Sequence, residues 1–228
     1  DRSSTTLMIS DLFVIAEQLG CVWKLEKLCR NKALKAAVEK PEKVKLFLNV
    51  DGNIIQDKAF IQGFTNRKAM KAGVPASDIV FEITERSDIE NYQILQQIMK
   101  HYADQGYEIA LDDVGAGHSG LNRVVNTTPD YLKADIELVR DIYKYKKKEI
   151  MMKLLLDYCN ATGAILIAEG IETAQELECL HSLGVHYGQG FFLGKPERAF
   201  GNISAESEEI LERLNGRKNI LFLDISGK

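Results

Sequence analysis

Four short segments end an apolar, strand-like run with acids or a lysine. They are Phe81-Glu82-Ile83-Thr84-Glu85, Leu111-Asp112-Asp113-Val114-Gly115-Ala116-Gly117, Tyr131-Leu132-Lys133-Ala134-Asp135 and Ile167-Ala168-Glu169-Gly170-Ile171-Glu172-Thr173. Side chains alternate along a strand, so Glu82 and Thr84 share one face and Ile83 takes the other. An acid facing the interior of such a strand is costly unless it is paired or meets a cation. The adjacent carboxylates Asp112 and Asp113 repel each other unless a cation lies between them, and one carboxylate can bridge two divalent ions. A lysine in a buried strand, Lys133, needs an acid or an anion. Asn49 ends an earlier run, Leu46-Phe47-Leu48-Asn49-Val50. Each residue taken singly has an ordinary alternative. Glu82 and Glu169 could be solvated strand ends, Asp112-Asp113 a surface turn before a helix capped by Ser119, Lys133 a snorkelling side chain, and Glu172 a loop acid. Their joint occurrence on successive strand ends is what points to chemistry. Acids, one amide and one lysine make a hard-oxygen site suited to Mg²⁺ or Mn²⁺ rather than a Cys/His zinc site. Such a site fits metal-assisted hydrolysis of a phosphodiester.

The elements that must position these residues alternate in type. Strands are predicted at Lys45–Val50, Ile79–Thr84, Tyr107–Asp112, Tyr131–Lys133, Ala164–Ala168 and His186–Phe191. Helical spacing is clear in Ile89–Asp104, where Ile89, Tyr92, Leu95, Ile98 and Met99 fall near one face. Ile150–Ala161 and Thr173–Leu183 read the same way, with Thr173 and Glu176 forming a capping box. Gly106, Gly163 and Gly184 follow the three helices, where a left-handed residue commonly ends the turn. Alternating strands and helices imply parallel βαβ units. An open doubly wound sheet would accept six strands and spread the polar strand ends along an edge. A barrel gathers them at one mouth but needs eight strands. The clustering of polar residues at strand ends favours the barrel, with its first part missing. Residues 1–200 read as this barrel domain, and residues 201–228 as an extension made of a charged helix, Ala205–Leu214, and a strand, Asn219–Ile225.

Composition narrows the function. With 45% hydrophobic and 27% charged residues in 228, the chain is ordinary for a globular protein. A net charge of −4 argues against a basic surface for long nucleic acid. Cys21, Cys29, Cys159 and Cys179 form no metal-binding spacing and read as free thiols of a reducing cytoplasm. No apolar run is long enough to span a bilayer. The chain starts at Asp1 without a Met and reads as cut from a longer protein, which could carry sensor domains or a membrane tether.

Asn49 in LFLNV, then FEITE, LDDVGAG, YLKAD, AEGIET and GQGFFLGKP (Gly188–Pro196) resemble, in order, the motif series of EAL-domain cyclic-di-GMP phosphodiesterases. The match runs from about Ile9 to Pro196. The resemblance implies a TIM-like (β/α) barrel lacking its first two strands, and hydrolysis of cyclic-di-GMP to linear pGpG with Mg²⁺ or Mn²⁺ at a two-metal site. Asn49, Glu82 and Asp112 would hold one metal, with Asp112 bridging, and Asp113 and Glu169 would hold the other. Glu169 would also serve as the base that activates water, Lys133 would orient or polarise that water, and Glu85 would hold the Asp112–Ser119 loop. Glu172, Gln189 and Asp135 would lie on the substrate side. Val114, Ala116, His118 and Gly120 depart mildly from the family's usual loop. The family's Glu-Ala-Leu motif, with an arginine four residues on, would precede Asp1. The resemblance also implies a homodimer. The alternative is a catalytically impaired module that binds cyclic-di-GMP as a receptor without cutting it.

Overall fold

The computed structural model describes residues 9–84, 92–115, 120–197 and 200–215. Six parallel strands pair in chain order: β1 (Leu46–Asp51), β2 (Ile79–Thr84), β3 (Glu108–Val114), β4 (Tyr131–Ala134), β5 (Ile165–Ala168) and β6 (Tyr187–Gly188). Helices α1 (Ile9–Gln18) and α2 (Val22–Ala36) come before β1. The crossovers are α3 (Phe64–Ala72), α4 (Tyr92–Ala103), α5 (Gly120–Asn126), the short α6 (Ile136–Val139) with α7 (Lys146–Thr162), and α8 (Ala174–Leu183). This is the α/β barrel pattern, parallel neighbours joined by helices, rather than the reversing order of an open doubly wound sheet. Among the described residues β1 and β6 each have a neighbouring strand on one side only.

Strand alternation divides the side chains into two layers. Leu46, Leu48, Val50, Ile79, Phe81, Ile83, Ile109, Leu111, Leu132, Ala134, Leu166 and Ala168 are buried in the main core under the helices. Removing a large apolar side chain of this kind from water contributes about 1.5–3 kcal/mol. The opposite face carries a smaller apolar cluster, Val80, Ala110, Tyr131 and Ile167 with Phe47 and Ile165 packed on it. That cluster rests on a polar plug at the early ends of the strands, where Glu108 accepts from Lys45 Nζ at 2.5 Å and from the Tyr131 hydroxyl at 2.9 Å. Above it, towards the later strand ends, the same face turns acidic.

The helices follow from their sequences. In α4 the buried residues Leu95, Ile98, Met99 and Tyr102 recur at helical spacing. Thr173 caps α8 by accepting from the Glu176 N–H, and Glu176 completes the box. Gly163 and Gly184 end α7 and α8 in the left-handed region. Helix α9 (Ala205–Asn215) lies against α8, and its Ile210 and Leu211 are buried in the main core. The strand expected at Asn219–Ile225 falls outside the described residues. No helix among the described residues is long and apolar enough to cross a membrane.

The sixth strand is shorter than the expected His186–Phe191. Two backbone bonds to Ile171 explain why: Ile171 N–H donates to Gln189 O at 3.0 Å, and Phe192 N–H donates to Ile171 O at 3.0 Å. The chain turns there, and a Cβ on Gly190 would lie 2.2 Å from the Ile171 backbone. Only glycine permits that approach.

Candidate metal centre

Lys133 is the centre of the acidic end. It projects from β4 onto the same face as Tyr131, and it is 2% exposed. Its Nζ lies 2.5 Å from Glu82 Oε1, 2.6 Å from Glu169 Oε1 and 3.0 Å from Asp112 Oδ1. The three acids come from β2, from the residue after β5 and from β3. Burial alone would lower the lysine's pKa, but Glu82, Glu169 and Asp112 hold it well above the usual amine value. Lys133 is therefore an ammonium. Burial raises the Glu169 carboxyl to about 8; Lys133 opposes the shift, while Asp112 and Glu82 add to it.

A strand irregularity brings in a fourth acid. Adjacent residues of a regular strand point to opposite faces, which would separate Asp112 from Asp113. The β3–β4 register shifts between Leu111 and Val114, and Asp113 has φ +56°. A bulge re-aims side chains in this way, and a non-glycine residue in the left-handed region is a feature concentrated at functional sites. As a result, one carboxylate oxygen each from Asp112, Asp113 and Glu169 lie within 4.8 Å of one another. These are hard oxygen donors, and together they fit a divalent cation such as Mg²⁺, Mn²⁺ or Ca²⁺.

The remaining sequence-predicted residues are distributed around this centre. Asn49 is the register partner of Glu82, one strand away at about 4.8 Å, and it is exposed on the mouth-facing side of β1. Glu169 N–H donates to Ala134 O at 2.9 Å, which continues the ladder past β5 and seats the acid beside Lys133. Gly170 follows with φ +68°, and a Cβ there would sit 2.3 Å from Ile136. Gln189 is one residue beyond β6, its N–H donating to Ala168 O at 2.8 Å. Glu172 stands at the exposed rim, 3.1 Å from Arg140 Nη2. Asp135 is buried and caps α6, accepting from Glu137 N–H at 2.7 Å. Its position is thus that of a helix cap beside the mouth. Glu85 lies outside the described residues.

Sequence reasoning did not single out Arg140, and it gave Glu176 only its capping role. The Glu176 carboxylate also accepts from the backbone N–H of Asp141 at 2.8 Å and of Glu172 at 2.9 Å, besides its bond from Thr173 at 3.0 Å. The capping-box spacing announced the Thr173 bond. Nothing in the local sequence announced the reach to Asp141, 35 residues away.

Comparison with known proteins places the chain in a family. The Borreliella burgdorferi protein named cyclic di-GMP phosphodiesterase PdeA is 26% identical over 200 residues, covering 86% of this chain and 30% of the relative. The chain therefore spans about a third of that relative's length, and it spans 17% of the Shewanella oneidensis cyclic di-GMP phosphodiesterase PdeB. Among solved structures, BlrP1 of Klebsiella pneumoniae in its calcium/cy-diGMP complex superposes with a TM-score of 0.74 at 28% identity, over 80% of this chain and 47% of that one. The c-di-GMP bound form of a standalone EAL protein from Vibrio cholerae O395 gives a TM-score of 0.71 at 27% identity, over 81% of this chain and 78% of that one. The EAL domain family matches residues 1–196, most of the chain and every strand of the sheet, and the chain belongs to that family.

Proposed function

We propose that this chain hydrolyses cyclic-di-GMP to linear pGpG with Mg²⁺ or Mn²⁺ bound at the Lys133 end of the barrel. The supporting observation is the convergence of Glu82, Asp112 and Glu169 on one ammonium, with Asp113 turned in beside them, in a member of the EAL family. Asn49, Glu82 and Asp112 would hold one ion, and Asp113 and Glu169 the other, with Asp112 shared. When bound, the ions supply Lewis-acid polarisation of the phosphate and lower the pKa of water. Lys133 keeps the acids gathered, and its positive charge would polarise the attacking water. Glu169 takes that water's proton at its carboxylate oxygen. The water oxygen bonds to phosphorus, the P–O3′ bond breaks, and the leaving O3′ takes a proton from solvent while Glu169 later returns its own to solvent, giving a linear dinucleotide with one 5′-phosphate. Gln189 and the Glu172–Arg140 rim would meet the nucleotide, and Asp135 would act through the α6 terminus it caps.

The test is incubation of the 228-residue chain with cyclic-di-GMP and Mg²⁺ or Mn²⁺, with chromatography of the products and calorimetry alongside. Formation of pGpG that stops on chelation is expected. Binding without turnover would turn the reading to a receptor module, and neither binding nor turnover would overturn it.

Two further expectations remain proposals. The four cysteines are all free, which supports a reducing compartment such as the cytoplasm, checked by fractionation. Ile150 and Leu154, one turn apart on α7, are exposed near the exposed Tyr145, which supports pairing of two copies. Sedimentation showing only monomer at high concentration would remove that proposal.

A further inference from the structure

Behind the sheet, on the side away from Lys133, lies a second ionic group. Glu26 and Arg30 are one turn apart on α2, and each is 2% exposed. Arg30 Nη2 donates to Glu26 Oε2, and Nη1 donates to Thr65 Oγ1 of α3 at 3.2 Å. The guanidinium lies 5.1 Å from the ring centroids of Trp23 and Phe81 and 5.7 Å from that of Tyr102. The second oxygen of Glu26 reaches out of the helix layer and accepts the N–H of Asp51 at 2.6 Å. Asp51 is the last residue of β1, and its own carboxylate accepts the N–H of Asn53 at 2.7 Å, closing the turn that follows.

This arrangement ties one helix to the ends of two ligand-bearing strands. Asn49 is two residues before Asp51 and on the same face of β1. Phe81, beneath the guanidinium, immediately precedes Glu82. A buried ion pair is weak evidence for stability, because well-packed apolar residues in its place are often equally stable or more so. What apolar residues cannot supply is the charge-assisted bond to the Asp51 N–H, which holds the last turn of β1 in register.

We infer that Glu26 and Arg30 are positioning residues of the metal centre. Glu26 pins the end of β1 and through it Asn49, while Arg30 holds Glu26 in place and backs Phe81 beneath Glu82. Neither touches metal or substrate. The inference rests on the metal-centre reading above, and the experiment separates the two.

Wild type, the Glu26→Leu/Arg30→Met double variant and Glu26→Gln are compared as full chains. Folding is read by circular dichroism and thermal melting, Mn²⁺ affinity by electron paramagnetic resonance titration, and turnover at saturating Mn²⁺. The double variant is expected to melt within about 4 °C of wild type. It should bind Mn²⁺ about tenfold or more weakly, as the loss of groups that orient ligands does. Its kcat should fall with KM little changed. Glu26→Gln keeps an acceptor for the Asp51 N–H and should recover most of the affinity. A folded double variant with wild-type Mn²⁺ affinity overturns the inference, as does a Glu26→Gln variant no better than the double. If the double variant does not fold, Thr65→Val takes its place by untying Arg30 from α3, and unchanged Mn²⁺ affinity there overturns the inference. A wild-type chain that binds no Mn²⁺ takes down the metal-centre reading together with this one. Wild-type binding alongside unaffected variants takes down this one alone.

Discussion

Two buried ionic clusters lie on opposite faces of one sheet, and they differ in balance. Behind the sheet, Glu26 meets Arg30 one to one, with Thr65 accepting from Arg30 and the Asp51 N–H donating to Glu26. Burial raises the Glu26 carboxyl pKa, while Arg30 and the bond from the Asp51 N–H oppose that rise. At the mouth, among the described ion pairs, Glu82, Asp112 and Glu169 share the single ammonium of Lys133. Burial first, and then the neighbouring Asp112 and Glu82 carboxylates, push Glu169 up to about 8 against the opposing pull of Lys133. A balanced pair fixes geometry. An unbalanced one is a place for further cations.

The contrast can be broken at several points. The largest effect belongs to Asp112, which reaches both Lys133 and the Asp113–Glu169 oxygens. Asp112→Asn keeps the shape and removes the charge. Turnover at saturating Mn²⁺ should fall at least about 10³-fold, some 4 kcal/mol of transition-state stabilisation. A fall of less than about tenfold would place the chemistry elsewhere.

Next come the two cations. Lys133→Met and Arg30→Met should each cost about 3 kcal/mol in metal-free buffer, measured by urea denaturation, because each strands a buried acid. Added Mn²⁺ should restore much of the loss for Lys133→Met, since a bound divalent ion neutralises the same acids. For Arg30→Met it should restore no more than it adds to wild type. Equal recovery in both would erase the distinction between the clusters.

Gly170→Ala should cost about 2 kcal/mol, since the residue has φ +68° and its new Cβ would press on Ile136. A lowered kcat should accompany the lower melting temperature because Glu169 is adjacent, and an unchanged melting temperature would count against the packing described. The smallest effect is reserved for an exposed pair. Arg213→Ala breaks the contact with Glu178 and should change stability by under about 1 kcal/mol, with turnover unaltered.

The mouth was legible in the sequence because its residues interrupt apolar strands. Glu82, Asp112, Lys133 and Glu169 each stand out where period-2 alternation ends in a charge. The capping box at Thr173 and Glu176 was legible for a similar reason, since its partners are three residues apart. The rear cluster was not. A Glu and an Arg four apart carry no local signal of burial, and only the fold shows Trp23, Phe81 and Tyr102 around the guanidinium. Helix α2 went unassigned for the same reason, because its buried stripe of Trp23, Glu26, Arg30 and Leu34 is half charged. Asp113 was picked out as the second of two adjacent acids at a strand end, yet its orientation depends on a bulge that alternation alone denies. The short β6 reflects a contact with Ile171 that local sequence does not encode.

Glu176 closes the account from the rim. By clasping the amides of Asp141, Glu172 and Thr173, one carboxylate stitches the turn ahead of α7 to the loop that follows β5. A single side chain thus sets the spacing between these two stretches at the opening of the barrel.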